Sequence, residues 1–209
     1  MSLACAANWF VLGTSIHDVP GWDWQTGRVA PEPDQRWANI LGGIGPDGRM
    51  RPMSYEILAG LAAEWAELLP ETMLIDGPAE LLRMARSQFS LSWFDYELMV
   101  TASLSGFQAL EAAFRVLYPE AERTPFRALI RRAREEGVLP DNIAELADAG
   151  AELRNSFSHP HTQAALTVGM AAPMLENTHR LVALVMDAAA ERDAAWRKAG
   201  LATNEVPAP

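Results

Sequence analysis

The stretch "SLSWFDYELMVTASLSGFQALEAAFRVLYP", residues 90–119, decides the fold class. Within it Tyr96, Val100, Ser103, Phe107, Leu110, Phe114 and Leu117 recur alternately four and three residues apart, the spacing that collects side chains on one stripe of an α-helix. Pro119 ends the pattern, because a proline ring removes a backbone donor and clashes with the preceding turn. A helix over the whole stretch is roughly 40 Å long at 1.5 Å per residue. Burying one stripe of a rod that long requires other helices laid along it.

The flanking sequence supplies them. Ser54 is a predicted N-cap for a helix through Ile57, Leu61, Trp65 and Leu68, closed by Pro70. A short helix over about 79–87 opens at Pro78. Thr124 as N-cap, Pro125 at the first helical position and Gly137 as terminator bracket a basic helix. Ile143, Leu146, Gly150, Leu153 and Phe157 continue at helical spacing, and a last amphipathic segment runs from about 172 to 196 through Leu175, Val182, Val185 and Ala189. The expectation is an all-α fold, an antiparallel four-helix-type bundle with extra short helices and an irregular N-terminal arm.

Residues 1–52 read differently. They hold four of the seven tryptophans, Trp9, Trp22, Trp24 and Trp37, among Gly and Pro punctuators, so turns and a short strand near "WFVL" are expected. Tryptophans mostly supply buried area, which makes this segment an arm wrapped on the helical body. The predicted organisation is an arm over 1–52, a bundle over 53–198 and a flexible tail over 199–209.

A net charge of −10 and a pI near 4.8 argue against sequence-independent coating of nucleic acid, which depends on clustered Lys and Arg. Nucleic-acid chemistry must be local. The single cysteine, Cys5, excludes a disulfide framework and a cysteine-rich zinc site, and a reducing cytoplasm is the expected compartment. The start lacks a basic segment ahead of a long apolar run, so no signal peptide is expected. No run approaches the roughly 18 apolar residues of a membrane span.

The chemistry-bearing stretch is "AELRNSFSHPHTQ", residues 151–163. With Leu153 at zero on a helical wheel, Arg154 falls near 100°, Asn155 near 200° and His159 near 240°, away from the stripe of Leu146, Leu153 and Phe157. Pro160 disfavours helix at the residue before it, so the helix is expected to end at or just before His159. Taken singly, Arg154 reads as a cation offsetting the dipole of a helix C-terminus, and His159 as a terminal residue without a role. Two histidines, His159 and His161, with no carboxylate nearby in sequence do not make a metal site, and no metal or cofactor is expected.

The motif "LRNSFSHP", with the upstream "FRALIRRAREEGVLPDNIAELADAGAE" and "SLSGFQALEAAFRVLYP", resembles the HEPN (higher eukaryotes and prokaryotes nucleotide-binding) domains over roughly residues 88–196. Their signature is Arg, a polar residue, three further residues and His, which stand here as Arg154, Asn155 and His159. The resemblance implies a helical bundle that dimerises through its motif helix, here residues 141–159, and builds one composite site from two copies. It implies a metal-independent endoribonuclease of toxin-antitoxin or phage-defence type, controlled by a regulatory or antitoxin protein. Members without the motif serve as nucleotide-binding or protein-interaction modules, and that is the alternative. One branch carries a tyrosine where this chain has His161, which sets aside antitoxin control by modification of that tyrosine. Glu111 is a further candidate, because an acidic residue of the corresponding helix contacts the motif arginine in some relatives.

Residue chemistry suits the same role. Imidazole takes or gives a proton near neutrality, and guanidinium matches phosphate oxygens through paired donors. The candidate assignments are Arg154 for phosphate, His159 for acid or base, Asn155 for positioning, and Glu111, Ser158 and His161 for support. Arg127, Arg131 and Arg134 share one helical face and read either as a track for RNA phosphates or as a solvated face paired with Glu135 and Glu136.

Overall fold

The computed structural model describes residues 22–23, 28–29, 32–44, 49–69, 76–121, 123–157 and 166–203. The chain divides into two units, residues 1–33 and 34–209. In the first, β1 (Trp22–Asp23) pairs antiparallel with β2 (Arg28–Val29).

Among the described residues the second unit is all-α but for one hairpin. A 3-10 turn at Gln35–Asn39 leads into β3 (Leu41–Ile44) and β4 (Met50–Pro52), which pair antiparallel. Six α-helices follow: α1 (Tyr55–Glu67), α2 (Pro78–Leu91), α3 (Leu98–Leu117), α4 (Phe126–Glu135), α5 (Asp141–Phe157) and α6 (Val168–Thr203). Ser54 caps α1 as expected, its hydroxyl accepting from the Ile57 N–H. Pro78 opens α2 after Gly77, whose φ of 100° suits glycine.

The expected arm boundary at residue 52 moves to 33. The reason is a clasp that ties residues 34–37 to the turn between α2 and α3. Trp37 is buried, donates its indole N–H to the Ser92 carbonyl at 2.8 Å, and lies against Trp93 and Tyr96. The Asp34 carboxylate accepts from the Arg36 guanidinium and from the Tyr96 N–H, and Arg36 reaches Glu97 and covers the Tyr96 ring. Bonding to Arg36 holds the Asp34 carboxyl well below the usual carboxylate range.

That turn also corrects the long helix. Residues 92–97 are turns, and α3 is 20 residues long, about 30 Å. The Ser92 hydroxyl donates to the Phe89 carbonyl and the Asp95 carboxylate accepts the Glu97 N–H, local bonds that compete with helix continuation. Alpha-helix α4 starts one residue late, with extended Pro125 at its cap, and Gly137 at φ 74° ends it. The last helix begins a turn early, with Pro173 inside it.

The bundle is not antiparallel throughout. Tyr55 meets Phe94 while Trp65 meets Phe89, so α1 and α2 run oppositely. Arg127 pairs with Glu152 and Arg134 with Asp141, so α4 and α5 do too. In contrast Gly106 lies against Leu175 and Thr178 while Tyr118 lies beneath Arg192, so α6 runs parallel to α3. Alpha-helix α5 is also parallel to α3. Sequence periodicity carries no information on this, and the ten residues 158–167 can recross up to about 35 Å of chain. Alpha-helix α3 is the hub, buried on most of its circumference and packed on α2, α4, α5 and α6. It joins a cluster around Phe114, Leu129 and Val182 to one around Trp65, Phe89 and Met99.

His179 of α6 lies within the second region, fully buried, its ring 5.9 Å from Trp65. Its Nδ1–H donates to the Leu175 carbonyl at 2.7 Å, which leaves Nε2 to accept from Arg86 at 3.4 Å. Burial, with the Arg86 charge adding to it, lowers its pKa from 6.5 to about 4. The unfolded chain therefore binds more protons between those values. Stability from the neutral ring is fully present above pH 6.5 and lost as pH falls toward about 4, a loss on the order of 3 kcal/mol. Urea unfolding across this range checks it: the parent weakens as pH falls, and His179→Leu flattens that slope.

Candidate functional site

The site follows from how closely α5 approaches α3. Gly150 faces the Phe107 ring, and a Cβ there would lie 2.9 Å from it. Ala144, Ala147, Gly150 and Ala151 form the buried face of α5, a small-residue seam that lets the two backbones come together. One turn further along both helices, Gly150 gives way to Arg154 and Phe107 to Glu111. The parallel register therefore sets these two side chains opposite one another.

This corrects the wheel. Relative to Leu153, the buried Gly150, Ala147 and Ala151 lie near 60°, 120° and 160°, so Arg154 at about 100° is centred on the buried face. Large apolar residues were the wrong guide; Leu153 is half-buried at the edge, and the side chains of Leu146 and Phe157 lie outside the described residues. Arg154 points toward its own fold and donates to Glu111 Oε2 at 2.6 Å. Glu111, 15% exposed at its side chain, bridges with its other oxygen to Arg115 Nη2 at 2.5 Å. Asn155 is exposed beside it.

These groups line a cleft of about 320 Å³ with Arg123, Thr124, Pro125, Phe126, Arg127 and Ala151. Four arginines, Arg115, Arg123, Arg127 and Arg154, thus face one glutamate there. Arg127 also lines a second cleft of about 440 Å³, between α4 and α5, together with Arg131, Arg134 and the carboxylates Asp148 and Glu152. The basic face of α4 arises because Phe126, Leu129, Ile130 and Ala133 take the buried side. Its cations are partnered: Arg127 by Glu152, Arg134 by Asp141 at 2.8 Å, and Arg131 by Glu135 at a loose 3.9 Å. All three pairs are exposed, where such contacts contribute little and exchange readily for another anion.

The structure therefore brings together Arg154, Asn155, Glu111 and Arg127, and extends them to Arg131 and Arg134. Ser158, His159 and His161 lie outside the described residues. Sequence reasoning missed Arg115, although its place four residues after Glu111 signals an ion pair; Arg123 stands just ahead of the basic helix and joins the cleft. Chemically the first cleft offers forked donors from several directions, a geometry suited to phosphate oxygens. No described helix is long and apolar enough to cross a membrane.

Glu111→Gln removes the carboxylate that separates two guanidiniums. The thermal midpoint is expected to fall at low ionic strength and to recover on addition of sulfate, which takes the carboxylate's place. An unchanged midpoint, or one indifferent to sulfate, contradicts the bridging role.

No family model, curated protein or solved structure matches the chain.

Proposed function

We propose that this chain is a HEPN-type, metal-independent endoribonuclease that cleaves single-stranded RNA in the cytoplasm as a toxin or phage-defence effector, under control of a regulatory protein. The observation that carries this reading is the arginine cleft in which motif residues Arg154 and Asn155 sit beside Glu111. In an acidic protein, this is where local chemistry favours a phosphate.

In this mechanism a base removes the proton of a ribose 2′-hydroxyl, the oxygen attacks the adjacent phosphorus, and the bond to the 5′-oxygen breaks. An acid then protonates that oxygen, leaving a 2′,3′-cyclic phosphate and a 5′-hydroxyl. His159 supplies the proton transfers, and one imidazole cannot begin the reaction in both states. Two copies meeting through α5 provide a second His159, so a two-fold assembly meets the requirement for an acid and a base at once. Arg154, with Arg115 beside it, neutralises charge that develops on the phosphoryl oxygens. Glu111 holds both guanidiniums in place, Asn155 positions the substrate, and Ser158 and His161 support the proton transfers. The cleft lined by Arg127, Arg131 and Arg134 receives the flanking phosphates.

The second reading is a non-catalytic helical dimer that binds a nucleotide or a protein. The engagement of Arg154 by Glu111 within one chain favours it, since that contact needs no substrate. Incubating purified protein with single-stranded RNA in EDTA separates the two. Cleavage to cyclic-phosphate ends is expected, reduced about a hundred-fold or more in His159→Ala and comparably in Arg154→Ala. Equal rates in parent and variants, or no cleavage at all, overturn the nuclease.

A further inference from the structure

We propose that Trp196 is a base-stacking platform that holds a nucleobase of the same single-stranded RNA, at a site set apart from the arginine cleft; this rests on the RNA-binding part of the function proposed above. Among the described residues Trp196 is the most exposed large hydrophobic side chain, 74% accessible. An indole so placed gains nothing from the core of its own chain. It forms one wall of a cleft of about 790 Å³ whose opposite wall is the end of α3, Val116 and Leu117, followed by Pro119 and Glu120. The space accommodates a base and its ribose, and its lining includes the apolar Met186 and Ala189.

The charges here differ from those of the arginine cleft. Arg197 is paired with Asp193, Glu120 with Arg132, and Arg192 with Glu136. Each cation at this site has a carboxylate within its own chain, so the cleft has no excess charge to attract a phosphate. What it offers is a flat aromatic face and apolar lining residues, which suit the uncharged part of a nucleotide. Every base presents a π-face, so such stacking tolerates sequence and needs no hydrogen-bond code.

Continuity with the phosphate site gives the occupant its identity. Glu120 lines the Trp196 cleft and Arg123 lines the arginine cleft. Their positions are three steps apart in sequence, so their Cα atoms lie within about 11 Å of each other. The turn at Pro119–Ala121 thus joins the two clefts in the chain, and a strand of a few nucleotides is long enough to reach from one to the other.

The test measures binding of a 2′-O-methyl oligoadenylate of about a dozen nucleotides, which cannot be cut through a 2′-hydroxyl, against an abasic strand of equal length. Trp196→Ala should weaken oligoadenylate binding about ten-fold or more, leave the abasic strand unaffected, and leave the slope of log Kd against log salt unchanged. Trp196→Phe should retain most of the affinity. Arg123→Ala should weaken both strands and reduce the salt slope by somewhat less than one. If Trp196→Ala binds oligoadenylate as the parent does, the platform is overturned and the RNA-binding reading stands. If the parent binds neither strand, both fall. If Trp196→Ala splits a dimer while affinity per protomer is unchanged, the indole belongs to an interface between copies and the platform is overturned.

Discussion

The close approach of α5 to α3 at Gly150 and Phe107 is the constraint from which the site follows. A Cβ at position 150 would lie 2.9 Å from that ring, too close unless the ring shifts, and the alanines on either side continue the seam. Because the two helices run in the same direction, each successive turn brings matched positions together. The apolar contact at Gly150 and Phe107 becomes a polar contact one turn later, between Arg154 and Glu111. A packing decision in the core thus sets the orientation of a motif arginine at the surface. Beside this seam the cleft is completed by Arg123, in the turn before α4, and by Arg127 of α4.

Glu111 determines what kind of site results. Without it, Arg115 and Arg154 would repel each other at close range; with it, they are held as a pair of forked donors around one carboxylate. A phosphate entering the cleft meets groups already oriented, which lowers the cost of organising them at the moment of binding. In the function proposed above, the net charge of −10 works against RNA at long range, so affinity would rest on these few contacts and fall with salt in proportion to their number. Exposed partners such as Glu152 and Asp141 can yield their arginines to a stronger anion, whereas the half-buried Glu111 is screened less and holds more firmly.

Much of the fold was legible. The periodicity of residues 98–117 placed the central helix, and Ser54, Pro78 and Gly137 marked boundaries through their capping and backbone preferences. What failed did so for physical reasons. Ser92 and Asp95 bond locally and break a stripe that reads as continuous. Helix direction is not encoded in periodicity, so the parallel α3, α5 and α6 were not foreseen. The buried face of α5 is made of Ala and Gly, and a reading that sought large apolar residues turned Arg154 outward. In the site, Arg154, Asn155, Glu111 and Arg127 were recognised from a motif and from charge, while Arg115 was overlooked because its role exists only through Glu111. The sequence offers no sign of the Arg86 contact to His179, because the two meet only in the fold.

The central claim is that the cleft between α3, α4 and α5 receives a phosphodiester. Heteronuclear NMR of the arginine side chains, titrated with a 2′-O-methyl dinucleotide, tests it most directly. The account predicts that the Nε–H signals of Arg115, Arg123, Arg127 and Arg154 shift together and saturate at one ligand concentration, while those of Arg83 and Arg180 stay in place. Shifts confined to arginines outside the cleft, or none, would contradict it.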